Sequence, residues 1–255
     1  MTEHVKSDRA NGVLTLTLDR PEKKNALTPA MYGALAQAID GAADDPAVRC
    51  ILIQSEGDIF TAGNDLADFT AASKGGDVPL GAQPLLVALA RAKTPLVAAV
   101  HGKAVGVGAT LLLHCDLVFL ADDAQLSTPF VNLALVPEAA SSLLLPARIG
   151  HVRAFAMFVL GEVVDAQKAL AWGLANAVVP RAELRAKARA AAEAVAQRPP
   201  AAVALTKSLM REPTALTARM DVETAHFIEQ LRSPEAREAF TAFAEKRAPD
   251  FAKLR

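Results

Sequence analysis

No surplus of charge of either sign marks this chain: 27 lysines and arginines stand against 28 aspartates and glutamates, a formal net charge of −1. A nucleic-acid groove or a polybasic membrane patch needs clustered positive charge, so neither partner class is expected, and small molecules or copies of the chain itself are. Cysteine is scarce, with two residues, Cys50 and Cys115, both in apolar stretches. Two unspaced cysteines of this kind fit buried thiols of a reducing compartment and not a disulfide framework. Hydrophobic residues make up 52% of the chain and aromatics only 5%, yet no unbroken apolar run approaches the roughly 20 residues needed to span a bilayer. The opening MTEHVKSDRANG has no apolar segment after its charges, and the closing KLR is not a peroxisomal address; a cytoplasmic location is expected.

The signatures of several catalytic classes are also missing. GKAVGVG lacks the GxxxxGKS/T spacing of a phosphate loop, and Leu111 stands where the third glycine of a dinucleotide fingerprint belongs. There is no GxSxG elbow around Ser141 or Ser142, no HExxH, and no histidine pair at ligand spacing. The run His114-Cys115-Asp116 is better explained by packing and capping, because consecutive residues at a helix end do not converge on one ion. No metal and no cofactor are expected.

What is present is an alternation of strands and helices, followed by helices alone. Leu14, Leu16 and Leu18 alternate with Thr15 and Thr17 as in a half-buried strand, while 50–54, 95–101 and 117–121 are short continuous apolar runs of the kind found in sheets covered on both faces. Thr28 followed by Pro29 predicts an N-cap and the first residue of an amphipathic helix running to about Ala43. Further helices are predicted over 84–92, 108–114, 152–160 and 165–172, the last closed by Gly173. After about Pro180 come helices over 182–197, 201–211, 213–231 and 234–247 with no strand between them. The expected architecture is an α/β core over residues 1–180 and a helical region over 181–255.

Three segments can carry chemistry. Glu138 lies directly after a proline within the otherwise apolar stretch from Leu126 to Arg148; a carboxylate buried without a partner is a base with a raised pKa, whereas a Pro-Glu pair can equally open a helix. In Phe60-Thr61-Ala62-Gly63-Asn64-Asp65-Leu66, small residues and a glycine let a ligand approach the backbone, so that the N–H groups near Gly63 and Asn64 can face an oxygen. His101 to Gly108 leaves a buried strand and enters a helix, whose free N–H groups suit negative charge.

Taken together, DRPEKKNAL, FTAGNDL, HGKAVGVGATLLLHCDLVFLAD, TPFVNLALVPEAASS and FAEKRAPDF resemble the crotonase, or enoyl-CoA hydratase/isomerase, superfamily over nearly the whole chain. The resemblance implies a spiral of ββα units, C-terminal helices that build a homotrimer or a dimer of trimers, and an acyl-CoA thioester as substrate. Its carbonyl would lie between the backbone N–H groups of Asn64 and Val107, with Ala62, Gly63, Asp65, Leu66 and Gly106 around it; Lys24, Phe243 and Lys246 would meet the CoA moiety. Family hydratases hold water with two glutamates, and here those positions correspond to Thr110 and Phe130, neither of which is a base. Glu138 instead matches the segment of the peroxisomal-type Δ3-Δ2-enoyl-CoA isomerases in which PEG precedes Cys or Ala and two serines, with Ala139 replacing the glycine. The expected activity is therefore 3-enoyl-CoA to trans-2-enoyl-CoA isomerisation. The alternatives are another crotonase reaction (hydratase, ring-epoxide isomerase, dehalogenase-like) and a non-catalytic acyl-CoA-binding protein.

Overall fold

The computed structural model describes residues 2–65 and 81–254. Among the described residues nine strands form two sheets. The larger has the order β1 (Val5–Ala10), β2 (Val13–Leu18), β3 (Cys50–Ser55), β4 (Leu96–Val100), β6 (Leu117–Ala121), β9 (Ala177–Val179), and the smaller runs β5 (Lys103–Val105), β7 (Gln125–Ser127), β8 (Val164–Asp165). β1 and β2 form an antiparallel hairpin across Asn11-Gly12, both at positive φ, and from β2 to β9 every neighbour in the larger sheet is parallel.

Parallel strands need crossovers, and the helices supply them. Thr28 caps α1 (Pro29–Asp44) by accepting from the Met31 N–H at 3.3 Å, as its Thr-Pro start predicts. α2 (Gln83–Arg91) packs beside α1 on one face of the large sheet, where Met31, Leu35, Ile39, Leu85 and Leu89 meet Ile51, Ile53 and Leu96. The opposite face takes the alternate residues of the same strands: Cys50, Leu52, Val97 and Ala99 contact Leu184, Ala188, Ala192 and Ala196 of α7 (Leu184–Ala196). These four residues recur every fourth position, and three are alanines, so the helix lies close against the sheet. Cover on both faces also corrects the reading of β2: it is buried at every position, because Arg189 of α7 donates to Thr15 Oγ1 at 2.9 Å and Gln54 to Thr17 Oγ1 at 3.2 Å.

The remaining helices are α3 (Val107–Thr110), α4 (Ser141–Ile149), α5 (His151–Phe155), α6 (Ala166–Ala171), α8 (Pro200–Met210), α9 (Pro213–Leu231) and α10 (Pro234–Ala244). Two expected helices change character along their length. Residues 107–110 are α-helical and 111–114 are 3-10, and α5 runs into a π-turn over 156–160 that Gly161 ends in the left-handed region. The stretch His101 to Gly108 is more than a loop: Lys103–Val105 is β5, paired in parallel with β7. Strands of two or three residues leave no periodic signal, which is why β5, β7, β8 and β9 escape a reading by pattern.

Candidate active site

Two backbone turns and one buried loop converge. The first turn depends on Asn25, which sits at φ +52 and spends its side chain on three backbone groups: Oδ1 accepts from Arg20 N at 2.7 Å, and Nδ2 donates to Glu56 O at 2.8 Å and Ile59 O at 3.0 Å. Beside it, Thr61 Oγ1 donates to Asn25 O at 2.6 Å and accepts from Gly63 N at 3.0 Å, and Ala62 N donates to Lys24 O at 2.9 Å. The Leu27–Asn64 bridge uses Leu27 N to Gly63 O and Asp65 N to Leu27 O, so it leaves the Asn64 N–H out of the pairing. Gly63 has φ +88, and a Cβ there would come within 2.7 Å of Val105 O. The glycine is thus required twice, by conformation and by the approach of the two turns.

The second turn passes through Gly106, at φ +57, into α3. Gly106 N donates to Ser127 O, and Gly106 O accepts from Ala109 N and Thr110 N. Val107, as the first helical residue, keeps an N–H with no carbonyl one turn back to bond. Gly108 packs on Thr61, whose Cγ2 would lie 2.3 Å from an added Cβ. The two N–H groups that the sequence singles out therefore stand on turns locked together by the Thr61–Ala104 bridge and these glycines.

Glu138 does not open a helix. α4 begins at Ser141, after Ala139 and Ala140 at φ +63 and +53, and Glu138 lies in the loop before them. Its Oε1 is sealed from solvent and takes no hydrogen bond from any described residue. Burial, with the charge of Glu223 adding to it, pushes the Glu138 carboxyl up from the ordinary range to about 7. Tyr32 of α1, whose hydroxyl donates to Asn64 Oδ1, is also pushed well up by burial and then by the charge of Glu138. Tyr32 is thus bonded to the Asn64 side chain and lies within range of the Glu138 charge.

His114 holds the loop from behind. Its Nε2 lies 2.8 Å from Ala139 O, while Arg211 donates to its backbone oxygen at 2.7 Å and lies 3.1 Å from Nδ1. Burial first, then the neighbouring Arg211, lower its pKa to about 3, so the ring is neutral, with Nε2–H donating and Nδ1 accepting. In the His114-Cys115-Asp116 run, His114 and Cys115 are buried in the packing, while the Asp116 carboxylate accepts from Leu96 N and Lys207 and caps no helix.

A cavity of about 500 Å³ opens in front of the turns. Ala62, Gly63, Asn64, Asp65 and Gly106 line it, opposite an apolar wall that includes Phe130, Leu133, Leu135 and Phe227. Phe130 is tilted against Phe158 with centroids 6.2 Å apart, and Thr110, buried, donates to Val107 O at 3.4 Å. Neither position offers a base. Val107 and Glu138 are not among the residues that line it. Phe243 of α10 reaches the cavity within the same chain, together with Arg247, whose guanidinium is held by Glu238 and Glu245 at 2.6 Å each. Lys24 and Lys246 are exposed outside the lining, and Leu66 lies outside the described residues. Asp65 pairs with Arg20 at 3.3 Å.

Tyr32, Glu223 and Arg247 are site residues that sequence reasoning passes over. Tyr32 is the chain's one tyrosine, yet it falls on the buried stripe of α1 and reads as core. Glu223 falls on the stripe of Leu216, Met220 and Phe227, and an acid on an apolar stripe is the signal that could have found it.

Comparison with known proteins matches residues 8–254 to the enoyl-CoA hydratase/isomerase family. The chain is 34% identical to the 1,2-epoxyphenylacetyl-CoA isomerase of Escherichia coli K12 over 98% of its own length and 99% of that protein's. It is 35% identical to enoyl-CoA delta isomerase 2 of Rattus norvegicus over 79% of its own length and 52% of the other's. The crystal structure of an enoyl-CoA hydratase/isomerase from Pseudoalteromonas atlantica T6c superposes with a TM-score of 0.92 at 41% identity, covering 98% of this chain and all of that one. The chain belongs to the enoyl-CoA hydratase/isomerase family, has the crotonase fold, and is an enzyme acting on acyl-CoA thioesters.

Proposed function

We propose that this enzyme moves a double bond, converting 3-enoyl-CoA to trans-2-enoyl-CoA with Glu138 as its single base. The observation that carries this reading is the buried Glu138 carboxyl, held near neutrality, with Thr110 and Phe130 at the two positions where hydration would need acids. The thioester oxygen sits between the N–H groups of Asn64 and Val107, where preorganised donors meet the charge that develops as the C2 proton leaves. Glu138 takes that proton; the resulting enolate delocalises over C2 to C4, and the same carboxyl returns the proton at C4 as the double bond settles at C2–C3. Atoms balance without water, metal or redox partner. The apolar wall of Phe130, Leu133 and Leu135 holds the acyl chain, while Phe243 takes the CoA end and Lys24 and Lys246 meet its phosphates.

A second reading, rearrangement of a ring epoxide on an aromatic acyl-CoA, draws support from the Phe130–Phe158 aromatic pair and from the Escherichia coli relative's name. The discriminating experiment offers the purified enzyme 3-enoyl-CoA, 2-enoyl-CoA and 1,2-epoxyphenylacetyl-CoA. Turnover of the first without hydration of the second is expected, with Glu138→Gln lowering the rate by about three orders of magnitude or more while acyl-CoA still binds. Efficient hydration of 2-enoyl-CoA, or full isomerase activity in Glu138→Gln, would overturn the assignment.

We also propose that residues 181–255 form the oligomerisation region of a homotrimer or a dimer of trimers, supported by the exposed apolar side chains of Leu205, Leu209 and Met210 on α8.

A further inference from the structure

Behind the base lies a second buried carboxylate that the reaction as written does not use. Glu223, in the middle of α9, reaches the start of α4: one oxygen accepts from Ala140 N at 2.6 Å and the other from Ser142 N at 2.9 Å. Ala139 and Ala140 are both left-handed, a conformation that alanine adopts only at a cost and that persists when its surroundings hold it. Two clamps do so here, Glu223 on the Ala140 and Ser142 N–H groups and His114 on the Ala139 carbonyl. Each acts within two residues of Glu138 or of the turn that follows it.

We propose that Glu223 is the positioning residue of the base: it fixes the left-handed turn that presents Glu138 and keeps a permanent negative charge beside it, so that a single proton is shared unequally by the pair. The division of that proton follows from the hydrogen bonds. Glu223 has two N–H donors at a helix start, where an anion is favoured, whereas Glu138 Oε1 has no protein donor. The other groups facing the pair do not reverse this. Tyr32 stays neutral and His114 is neutral and bonded to the backbone; burial raises the Glu223 carboxyl, and the Ser142 and Ala140 hydrogen bonds, with Arg219 on α9, work against that in favour of its charged form. Burial raises both carboxyls and like charges in one site separate their titrations; the two N–H donors make Glu223 the one that ionises first, while Glu138 titrates close to neutrality, where a group that must both take and return a proton works best.

This inference rests on Glu138 being the base, and the experiment separates the two. In Glu223→Gln, size and one acceptor are kept and the charge is lost. The acid limb of kcat/KM should move down by about one pH unit, the plateau should fall about tenfold or more as the base weakens, and KM should stay within about twofold. Glu223→Asp, which keeps the charge, should leave the limb near its wild-type position. A purely structural cap would lower Tm in both variants and leave the pH profile in place, and that result would overturn the proposal. If Glu223→Gln does not fold, carboxyl carbon NMR of the wild type decides: Glu138, assigned through Glu138→Gln, should titrate near pH 7 and Glu223 should stay ionised across that range, whereas titration of Glu223 there would refute it. Full activity in Glu138→Gln sinks the base assignment itself, whatever Glu223 does.

Discussion

At the residue scale, the site concentrates its costs on a few positions. Glu138 binds a proton more tightly in the folded chain, with a pKa of about 7, than in the unfolded one, where the ordinary value is 4.5. A raised pKa stabilises the fold only where the unfolded chain is also protonated, below about pH 4.5, and that contribution is lost as pH rises towards 7. Glu138→Gln should therefore raise Tm at pH 8 and leave it nearly unchanged at pH 4, with a ceiling of about 3 kcal/mol at the higher pH; equal effects at both values would show that the carboxyl is not held up by its surroundings. The glycines give a second test. Gly63→Val forces a side chain against Val105 O at φ +88, and Gly108→Val drives one into Thr61. Each should reduce turnover by about two orders of magnitude or more, the scale of losing an oxyanion donor. Val107→Ala leaves the backbone donor in place and should cost far less. Asn64→Ala falls between, because the sequence assigns Asn64 a backbone role only and the structure adds the Tyr32 bond to its side chain. Steady-state kinetics on the four variants should reproduce that order.

At the element scale, the interplay of strand and helix was legible where periodicity or capping chemistry was strong and hidden where neither was. Thr28-Pro29 marks the start of α1 to the residue, and Asp165, the first residue of the predicted run 165–172, is the cap of α6, accepting from Lys168 N at 2.8 Å. Glu138 and the glycine-bearing turns draw attention because polar or glycine-rich breaks in apolar sequence are conspicuous, while Asn64 and Val107 are named as donors by the family resemblance. Glu223 and Tyr32 do not stand out, since their partners lie 83 and 32 residues away in sequence and only the packed fold brings them together. The same holds for the link that fastens α8 to the sheet. Lys207, buried, donates to Asp116 at 2.7 Å and to Thr94 O at 3.0 Å, while Asp116 also accepts from Leu96 N at 2.7 Å. Removing Lys207 takes the counter-ion from Asp116, a partly exposed carboxylate just before β6 and beside the start of β4, and empties the buried volume of the lysine stem, so Lys207→Ala should cost about 1–2 kcal/mol in denaturant unfolding. Lys207→Met, which restores apolar volume but not the charge, should recover only the packing part of that loss while Asp116 remains; Lys207→Met with Asp116→Asn should recover more of it. Full recovery by Met alone would mean that packing, not charge, holds α8.

At the scale of the whole molecule, the question is what covers α8 and its surroundings. Leu209 is 88% exposed, Met210 78% and Leu205 64%, three large side chains within six residues. Beside them, a cavity of about 720 Å³ runs between α8, the start of α9 and the core, lined by Leu143, Val203, Met210 and Leu216 among others. Scattered apolar residues are ordinary on a surface, but a run of this kind on one helix beside an apolar hollow is the pattern of an interface. Closed symmetry is the usual outcome for a single chain type, and the proposed trimer would bury α8 of each subunit against a neighbour. Leu209→Glu with Met210→Glu places two charges in that seam, where like charges oppose each other and lose water on assembly. The expected result is dissociation to monomers, read by light scattering at micromolar concentration, with acyl-CoA affinity reduced less than assembly because the cavity that holds Asn64, Phe130 and Phe243 lies within one chain. A wild-type chain that is monomeric at that concentration, or a double variant that keeps the wild-type mass, would show that α8 is free of any such contact.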